Sequence, residues 1–381
     1  MKSNAPCSPA RFLLCLPLLL CLLLLPFSRA LAGGVWYTLS AEENPDRLLI
    51  PPPEYTGEIR VTFLGDCTLG GEEKSRRNAL GFVRRIEENG LDFPFRNLLP
   101  LTAADDLTVA NLECVLSDRT LTKEEKKYNF MGPTEYTGIL TAGDIDCVTI
   151  ANNHSHDYGA QGYADTKEAL EQAGIAWFGT DAPAIWQNEE GLRIGFIGVS
   201  YSLTGSRYTA WQAQADRLKS LGCAAVITVM HAGTEYSYTP PDNHQKQIVD
   251  RVVPGGSCLV IGHHPHVVQG YTVKDGVPVV YSLGNCSFGG TTHAKDSDAL
   301  AVQAVLAFRE GELERIDLHF YPISITSDDR YNNYSPRLLS GTEAERVLRK
   351  MSQSTGMDPG PWDDQTGAVV SFPVHQDTPV Q

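Results

Sequence analysis

The chain has 381 residues and is acidic, with 46 Asp and Glu against 31 Lys and Arg and a formal net charge of −15 at pH 7. A surface of this charge repels polyanions at long range, which excludes nucleic-acid binding through a basic footprint. Any anionic substrate must therefore be attracted locally, and a bound divalent metal would do so.

The first 32 residues have the features of a secretory signal peptide. A positively charged start is followed by an apolar stretch and by Ala30-Leu31-Ala32, which matches a cleavage site. The apolar stretch is shorter than the ~20 residues of a membrane-spanning helix, and prolines interrupt it. We therefore expect an extracytoplasmic protein, either secreted or at the outer face of the cytoplasmic membrane. An uncleaved membrane anchor is the alternative.

The rest of the chain divides into a linker, one large domain and a C-terminal extension. Residues 33–57 contain three consecutive prolines and are predicted to be a stiff linker. Residues 58–327 form the predicted domain. Residues 328–381 form the extension, which we expect to be partly helical, at 342–351, or disordered.

The domain begins as an alternation of strand and helix patterns. Apolar runs typical of buried strands occur at 59–64, 107–112, 145–150, 193–199, 224–230 and 258–261. Helix-like stretches lie between them at 163–173, 211–221 and 243–253. This alternation predicts an α/β fold with βαβ units and a mainly parallel sheet.

After residue 262 the pattern changes to two antiparallel hairpins. The first pairs 267–273 with 277–283 around an Asp-Gly turn, and the second pairs 299–309 with 312–321 around Glu-Gly. These late strands form either a second sheet or the far edge of the first.

Metal-binding side chains follow the predicted strands at their carboxyl ends. The candidate ligands are Asp66, Glu113, Asn153, His231, His264 and His266. Because strand carboxyl ends share one edge of an α/β sheet, we expect these residues to meet there. Mixed carboxylate, amide and imidazole donors suit one or two divalent ions of the Mn, Fe or Zn type. His154 would remain as a proton donor.

Taken singly, these residues have structural explanations. His231 could be a buried core histidine, and Asp66 could be a turn or cap residue. His156 and Glu235 either orient the ligands or lie at the surface. The cysteines that follow the two carboxylates, Cys67 and Cys114, could form a disulfide in an exported protein.

Six motifs occur in a fixed order between residues 59 and 321. They are Gly65-Asp66, Asn111-Leu112-Glu113, Ala151-Asn152-Asn153-His154 with Asp157-Tyr158-Gly159, His231-Ala232-Gly233-Thr234-Glu235-Tyr236, Gly262-His263-His264-Pro265-His266-Val267-Val268-Gln269, and Tyr281-Ser282-Leu283-Gly284-Asn285. In this order they resemble the motifs of the CapA family, the bacterial capsule-synthesis proteins linked to poly-γ-glutamate. That family is in turn similar to calcineurin-like metallophosphoesterases, which implies a four-layer αββα sandwich.

The resemblance also implies roles for single residues. In the metallophosphoesterase pattern Asn153 is a ligand and His154 protonates the leaving group. His264 and His266 match the Gly-His-x-His pair, although His263 could take the first place. The opening Asp-x-His motif lacks its histidine here, since Thr68 stands at that position. The Gly-Asp-x-x-Asp motif is replaced by the segment that ends at Glu113, so the number of metal ions stays open.

Two functions agree with this pattern. The first is an exported, metal-dependent hydrolase of capsule or poly-γ-glutamate metabolism, acting on a phosphoester or an amide of an envelope polymer. The alternative is a non-catalytic accessory subunit of a membrane-bound poly-γ-glutamate synthesis or export complex. The expected partner is an anionic envelope polymer or its precursor, with membrane synthase subunits added in the second case, and no nucleic acid.

Overall fold

The computed structural model describes residues 34–39 and 54–374. The predicted signal peptide at 1–32 and much of the predicted linker lie outside these residues. Within them, two β-sheets pack face to face and helices cover both outer faces. No helix in the described ranges is both long enough and apolar enough to span a bilayer.

The elements follow one another in a largely alternating order. The strands are β1 (Gly34–Thr38), β2 (Gly57–Thr68), β3 (Leu107–Leu112), β4 (Val115–Leu116), β5 (Met131–Gly132), β6 (Cys147–Thr149), β7 (Ala176–Phe178), β8 (Ala184–Asn188), β9 (Arg193–Ser200), β10 (Cys223–His231), β11 (Leu259–His263), β12 (Val268–Lys274), β13 (Val277–Leu283), β14 (Asn285–Phe288), β15 (Asp298–Arg309), β16 (Glu312–Ser324), β17 (Arg337–Leu338) and β18 (Ala368–Pro373). The helices are α1 (Phe82–Asn89), α2 (Leu99–Thr102), α3 (Thr137–Ala142), α4 (Gly159–Gln172), α5 (Ser206–Ser220), α6 (Asn243–Val252) and α7 (Gly341–Thr355).

The parallel strands are divided between two sheets. The first sheet has the order β1-β8-β9-β10-β11-β13-β12, and β9, β10, β11 and β13 are parallel. The second has the order β17-β16-β15-β2-β3-β6-β7, with β14 paired to β2 and β18 paired to β16. In it β2, β3, β6 and β7 are parallel. The short pair β4–β5 stands apart.

Both predicted hairpins are confirmed, and each belongs to a different sheet. The pair β12–β13 forms an edge of the first sheet, and β15–β16 joins the second beside β2. Both turns have two successive residues at positive φ: Asp275 at 49° and Gly276 at 83°, then Glu310 at 52° and Gly311 at 84°. Two central residues at positive φ match the twist of the flanking strands.

Separate apolar cores lie between the layers, and β10 contributes to two of them. Ile227 and Val229 belong to the core between the sheets, whereas Val226 and Met230 belong to the core beneath α5 and α6. Side chains alternate between the faces of a strand, so a continuous apolar run serves a strand buried on both sides. A third core lies between the second sheet and helices α1–α4. The predicted four-layer αββα sandwich is therefore confirmed.

The segment predicted as a C-terminal extension packs into the sandwich. Val347 and Met351 of α7 belong to the core between the sheets. Strand β18, which the sequence pattern did not predict, pairs antiparallel with β16. At the other end, β1 pairs with β8 as an edge strand although it lies in the predicted linker. The last residues, 375–381, lie outside the described chain.

Candidate metal centre

The polar strand ends of both sheets meet in one place. Asp66 lies near the end of β2 and Glu113 directly follows β3, both in the second sheet. His231 ends β10 in the first sheet, where it stands in register with His263. The sequence predicts one sheet edge, whereas the structure brings together the carboxyl ends of strands from two sheets.

Glu113 is a buried carboxyl group that lies close to three histidines of the site. Its carboxylate is fully buried, and Oε1 lies 3.4 Å from His231 Nε2, 3.9 Å from His154 Nε2 and 4.0 Å from His266 Nε2. Neither of its oxygens has a hydrogen-bond partner in the described chain. Burial, together with the nearby Asp66, raises the pKa of Glu113 well above its usual range. An unpartnered carboxylate in such a place is costly unless a cation or proton compensates it.

The donor set around Glu113 fits a divalent cation. Donor atoms of Glu113, His264 and His266 all lie within 4.8 Å of one another. Burial lowers the pKa of His264 to about 4, so its ring is neutral, which is the form that binds metal. Its Nδ1 also lacks a partner in the described chain. Asn153 Oδ1 lies 2.7 Å from His231 Nε2 and adds an amide oxygen.

The carboxylate of Asp66 already has partners among the neighbouring residues of the site. Its Oδ1 accepts a hydrogen bond from Asn111 Nδ2 at 2.7 Å, and Oδ2 lies 3.1 Å from His266 Nδ1. Burial would raise the pKa of Asp66, but the imidazoles of His263 and His266, 3.3 and 3.1 Å away, hold it well below its usual range. Because Nδ1 of His266 is held in this way, Nε2 is the atom that faces Glu113. This is how carboxylates orient metal-binding histidines. The role of Asp66 as a direct ligand stays a prediction.

The pKa of His266 is raised, whereas the pKa values of His154, His231 and His264 are lowered. Burial lowers the pKa of His266, but the carboxylates of Glu113 and Asp66 outweigh burial and raise it to about 9. Because a metal ion takes imidazole in its neutral form, binding at His266 would release this proton.

His154 is fixed with one nitrogen toward the site. Its Nδ1 donates to Asp157 Oδ2 at 2.8 Å, and its ring packs 4.4 Å from that of Phe130. Asp157 is held by the backbone N–H of Phe130 and by an ion pair with Lys126. Burial lowers the pKa of His154 despite the neighbouring Asp157. With Nδ1 donating to Asp157, Nε2 of the neutral ring carries the lone pair and lies 3.9 Å from Glu113 Oε1.

Three further residues support the site, and sequence analysis assigned no role to them. Asn111 Nδ2 lies 3.2 Å from His231 Nδ1 as well as bonding to Asp66. Asn285 Oδ1 lies 2.9 Å from His266 Nδ1. The third is Asp157, the partner of His154. All three belong to the motifs quoted in the sequence analysis. Their short distance in sequence from the candidate ligands or from His154 is the feature that could have identified them.

Strained backbone surrounds the site. His264 has a φ of 97° and His266 a φ of 56°, while Tyr201 and Tyr236 have 64° and 59°. Residues with side chains seldom adopt positive φ, and such strain concentrates at functional sites. The ring of Tyr201 lies 6.1 Å from that of His264, and the ring of Tyr236 lies 6.1 Å from that of His266. The two tyrosines thus flank the histidine pair.

The structure also distinguishes between the alternatives that the sequence left open for other residues of these motifs. His156 and Glu235 are exposed, and His156 stacks on Tyr163 with 4.3 Å between the ring centres. Cys67 and Cys114 are both free thiols. The disulfide that they could form in an exported protein is therefore not present.

The fold and site define a class of protein: a four-layer αββα sandwich with a His and Glu cluster suited to a divalent metal. Residues 60–289 match the family model described as bacterial capsule synthesis protein PGA_cap. The chain belongs to this family, which confirms the resemblance found in its motifs.

Curated relatives and a solved structure are similar to the chain. The capsule biosynthesis protein CapA of Bacillus anthracis is 26% identical over 326 residues, which cover 78% of this chain and 74% of that protein. The PGA biosynthesis protein CapA of Bacillus subtilis (strain 168) is 26% identical over 262 residues, which cover 63% and 66%. The crystal structure of the calcineurin-like phosphoesterase YfkN from Bacillus subtilis aligns with a TM-score of 0.45 and 13% identity, covering 79% of this chain and 97% of that one.

Proposed function

We propose that the chain is an exported, metal-dependent hydrolase of capsule or poly-γ-glutamate metabolism that cleaves an amide or phosphoester of an anionic envelope polymer. The observation that supports this most is the buried, unpartnered Glu113 carboxylate among three histidines. Membership of the capsule-synthesis family supports the polymer context. The acidic composition requires local attraction of such a substrate, which a cation would supply.

The cation would be held by Glu113, His231, His264 and His266, with Asn153 as a further oxygen donor. When bound, a divalent metal polarises an acyl or phosphoryl oxygen and lowers the pKa of water. One or two ions of the Mn, Fe or Zn type suit these donors.

His154 supplies acid catalysis in this proposal. Once its ring is protonated, Nε2 would give its proton to the departing amine or alkoxide. Asp157 fixes the ring through Nδ1, and Lys126 ties this pair to the neighbouring turn, because its Nζ donates to the backbone oxygen of Asn153 at 2.7 Å.

A second candidate is an accessory subunit of a membrane-bound polymer synthase. The hydroxyl of Thr68, at the position of the missing histidine, donates to the backbone oxygen of Glu113 at 3.2 Å. With Asp66 also engaged, one of two metal positions would have fewer donors than the other. Such a weakened position would favour binding of the polymer over turnover.

A hydrolysis screen with the purified chain separates the two functions. With Mn²⁺ or Zn²⁺ present, we expect cleavage of γ-linked glutamyl oligomers or of aryl phosphoesters, and loss of that cleavage with a chelator. Released amine or phosphate is the readout. A chain that binds metal and oligomer but cleaves neither substrate class would instead support the accessory subunit.

A further inference from the structure

Two cysteines directly follow two residues that contact His266. Cys67 follows Asp66 on β2, and Cys286 follows Asn285 on β14. Asp66 Oδ2 lies 3.1 Å from His266 Nδ1, and Asn285 Oδ1 lies 2.9 Å from the same nitrogen. A covalent bond between the two cysteines would therefore act on the two groups that orient this histidine.

The two strands that carry these cysteines lie side by side. β14 pairs parallel with β2, and Asn285 stands in register with Asp66. The backbone N–H of Asp66 donates to the backbone oxygen of Gly284 at 3.0 Å, and a side-chain carbon on Gly65 would collide with that oxygen. Neighbouring strands lie about 4.8 Å apart, and the Cα atoms of disulfide-bonded cysteines lie about 4.4–6.8 Å apart. Facing residues of β2 and β14 are thus within the reach of a disulfide.

The side chains of Cys67 and Cys286 meet in the same core. Both are fully buried and belong to the core between the second sheet and its helices. Burial and the interaction with the Cys286 thiol raise the pKa of Cys67 well above its usual range. Cys114 shares this core, but its Sγ lies 3.6 Å from the backbone oxygen of Leu69. The cysteines of the described ranges are free thiols, so Cys67 and Cys286 form a pair of thiols without a bond between them.

We propose that Cys67 and Cys286 are a site of oxidative cross-linking, at which a disulfide joins β2 to β14 and fixes the separation of Asp66 and Asn285. The oxidant is a low-molecular-weight disulfide. One sulfur–sulfur bond forms between the cysteines, that of the reagent breaks, and two reagent thiols leave with the two protons. Because both cysteines are buried in the folded chain, the exchange takes place while the chain folds. This assignment goes beyond the proposed hydrolase activity and does not rest on it.

Refolding in a glutathione buffer tests the cross-link. The purified chain would be reduced, unfolded and then refolded with a mixture of oxidised and reduced glutathione. Remaining thiols would be alkylated in denaturant, and the proteolytic peptides would be analysed by mass spectrometry. We expect a pair of peptides joined through Cys67 and Cys286, with Cys114 and Cys147 alkylated. Cys147→Ala is the matched control and should keep this link, because Cys147 is a fully buried strand cysteine in the core between the sheets.

The melting temperature gives an independent readout. Refolded wild type should melt about 5 °C or more higher without a reductant than with one, since a disulfide constrains the unfolded chain. Cys147→Ala should respond to the reductant as wild type does. Cys286→Ala should melt at the same temperature in both conditions, and Cys67→Ala repeats this test with the other partner removed.

Three results would overturn the proposal: alkylation of both Cys67 and Cys286 in refolded wild type, a link from Cys67 to any other cysteine, or a wild-type melting temperature that does not respond to the reductant. The first two are read from wild type alone, so they hold even where an alanine variant does not fold. All measurements would be made with a chelator present. A chain that cleaves no substrate but forms the link would therefore refute the hydrolase and support the cross-link.

Discussion

Replacing His231 or His264 by alanine is expected to lower the affinity for Mn²⁺ or Zn²⁺ about 10-fold or more, because each change removes an imidazole donor from the group around Glu113. Calorimetric titration of the metal-free chain measures this directly. The stabilising effect of metal on the melting temperature should shrink in parallel, since that effect depends on the affinity for the folded state.

The control for this experiment is His244→Ala, since His244 is an exposed histidine on α6 and is not one of the candidate ligands. It should bind metal like wild type. In the absence of metal, all three variants should fold. Equal affinities in wild type, His231→Ala and His264→Ala would refute the assignment of these two ligands.

Replacing His154 by glutamine is expected to cut turnover about 10²–10⁴-fold on whichever substrate the chain cleaves, because the leaving group then lacks its proton donor. Metal affinity should stay near wild type, since His154 Nε2 lies 3.9 Å from Glu113 and its Nδ1 is engaged by Asp157. Steady-state kinetics and metal titration on the same preparation give both values.

His244→Gln serves as the matched control for this substitution and should keep full turnover. A His154→Gln variant with undiminished kcat would remove the acid role of this residue but not the metal site. A variant that lost metal as well as turnover would show that His154 is itself a ligand.

The strands and hairpins could be predicted because their signal is local, whereas only the family resemblance implied the four layers. Buried runs such as 107–112 and 224–230 are long and apolar, and the Asp-Gly and Glu-Gly turns fix the pairing of the late strands. Strand β18 gave no comparable pattern, because it is a short run that follows a segment rich in Pro and Asp. Its position depends on the free edge of β16, which only the tertiary structure provides.

The sequence predicted which residues belong to the site better than it predicted how they pair with one another. Positions after strands indicated that Asp66, Glu113 and His231 would meet, and the structure places them together. Which carboxylate stays unpartnered depends on hydrogen bonds from distant residues such as Asn111 and His264, and spacing along the chain does not contain that information.

Metal content of wild type and Glu113→Gln, measured by mass spectrometry after dialysis, tests the central claim most directly. Glutamine keeps the size of the side chain and removes the ionisable carboxyl group whose Oε1 lies within 4.0 Å of three histidine Nε2 atoms. We predict at least one divalent ion per wild-type chain and a large loss in Glu113→Gln, with His244→Gln unchanged. A wild-type chain that retains no metal, or equal metal in wild type and Glu113→Gln, would contradict a metal centre built on Glu113.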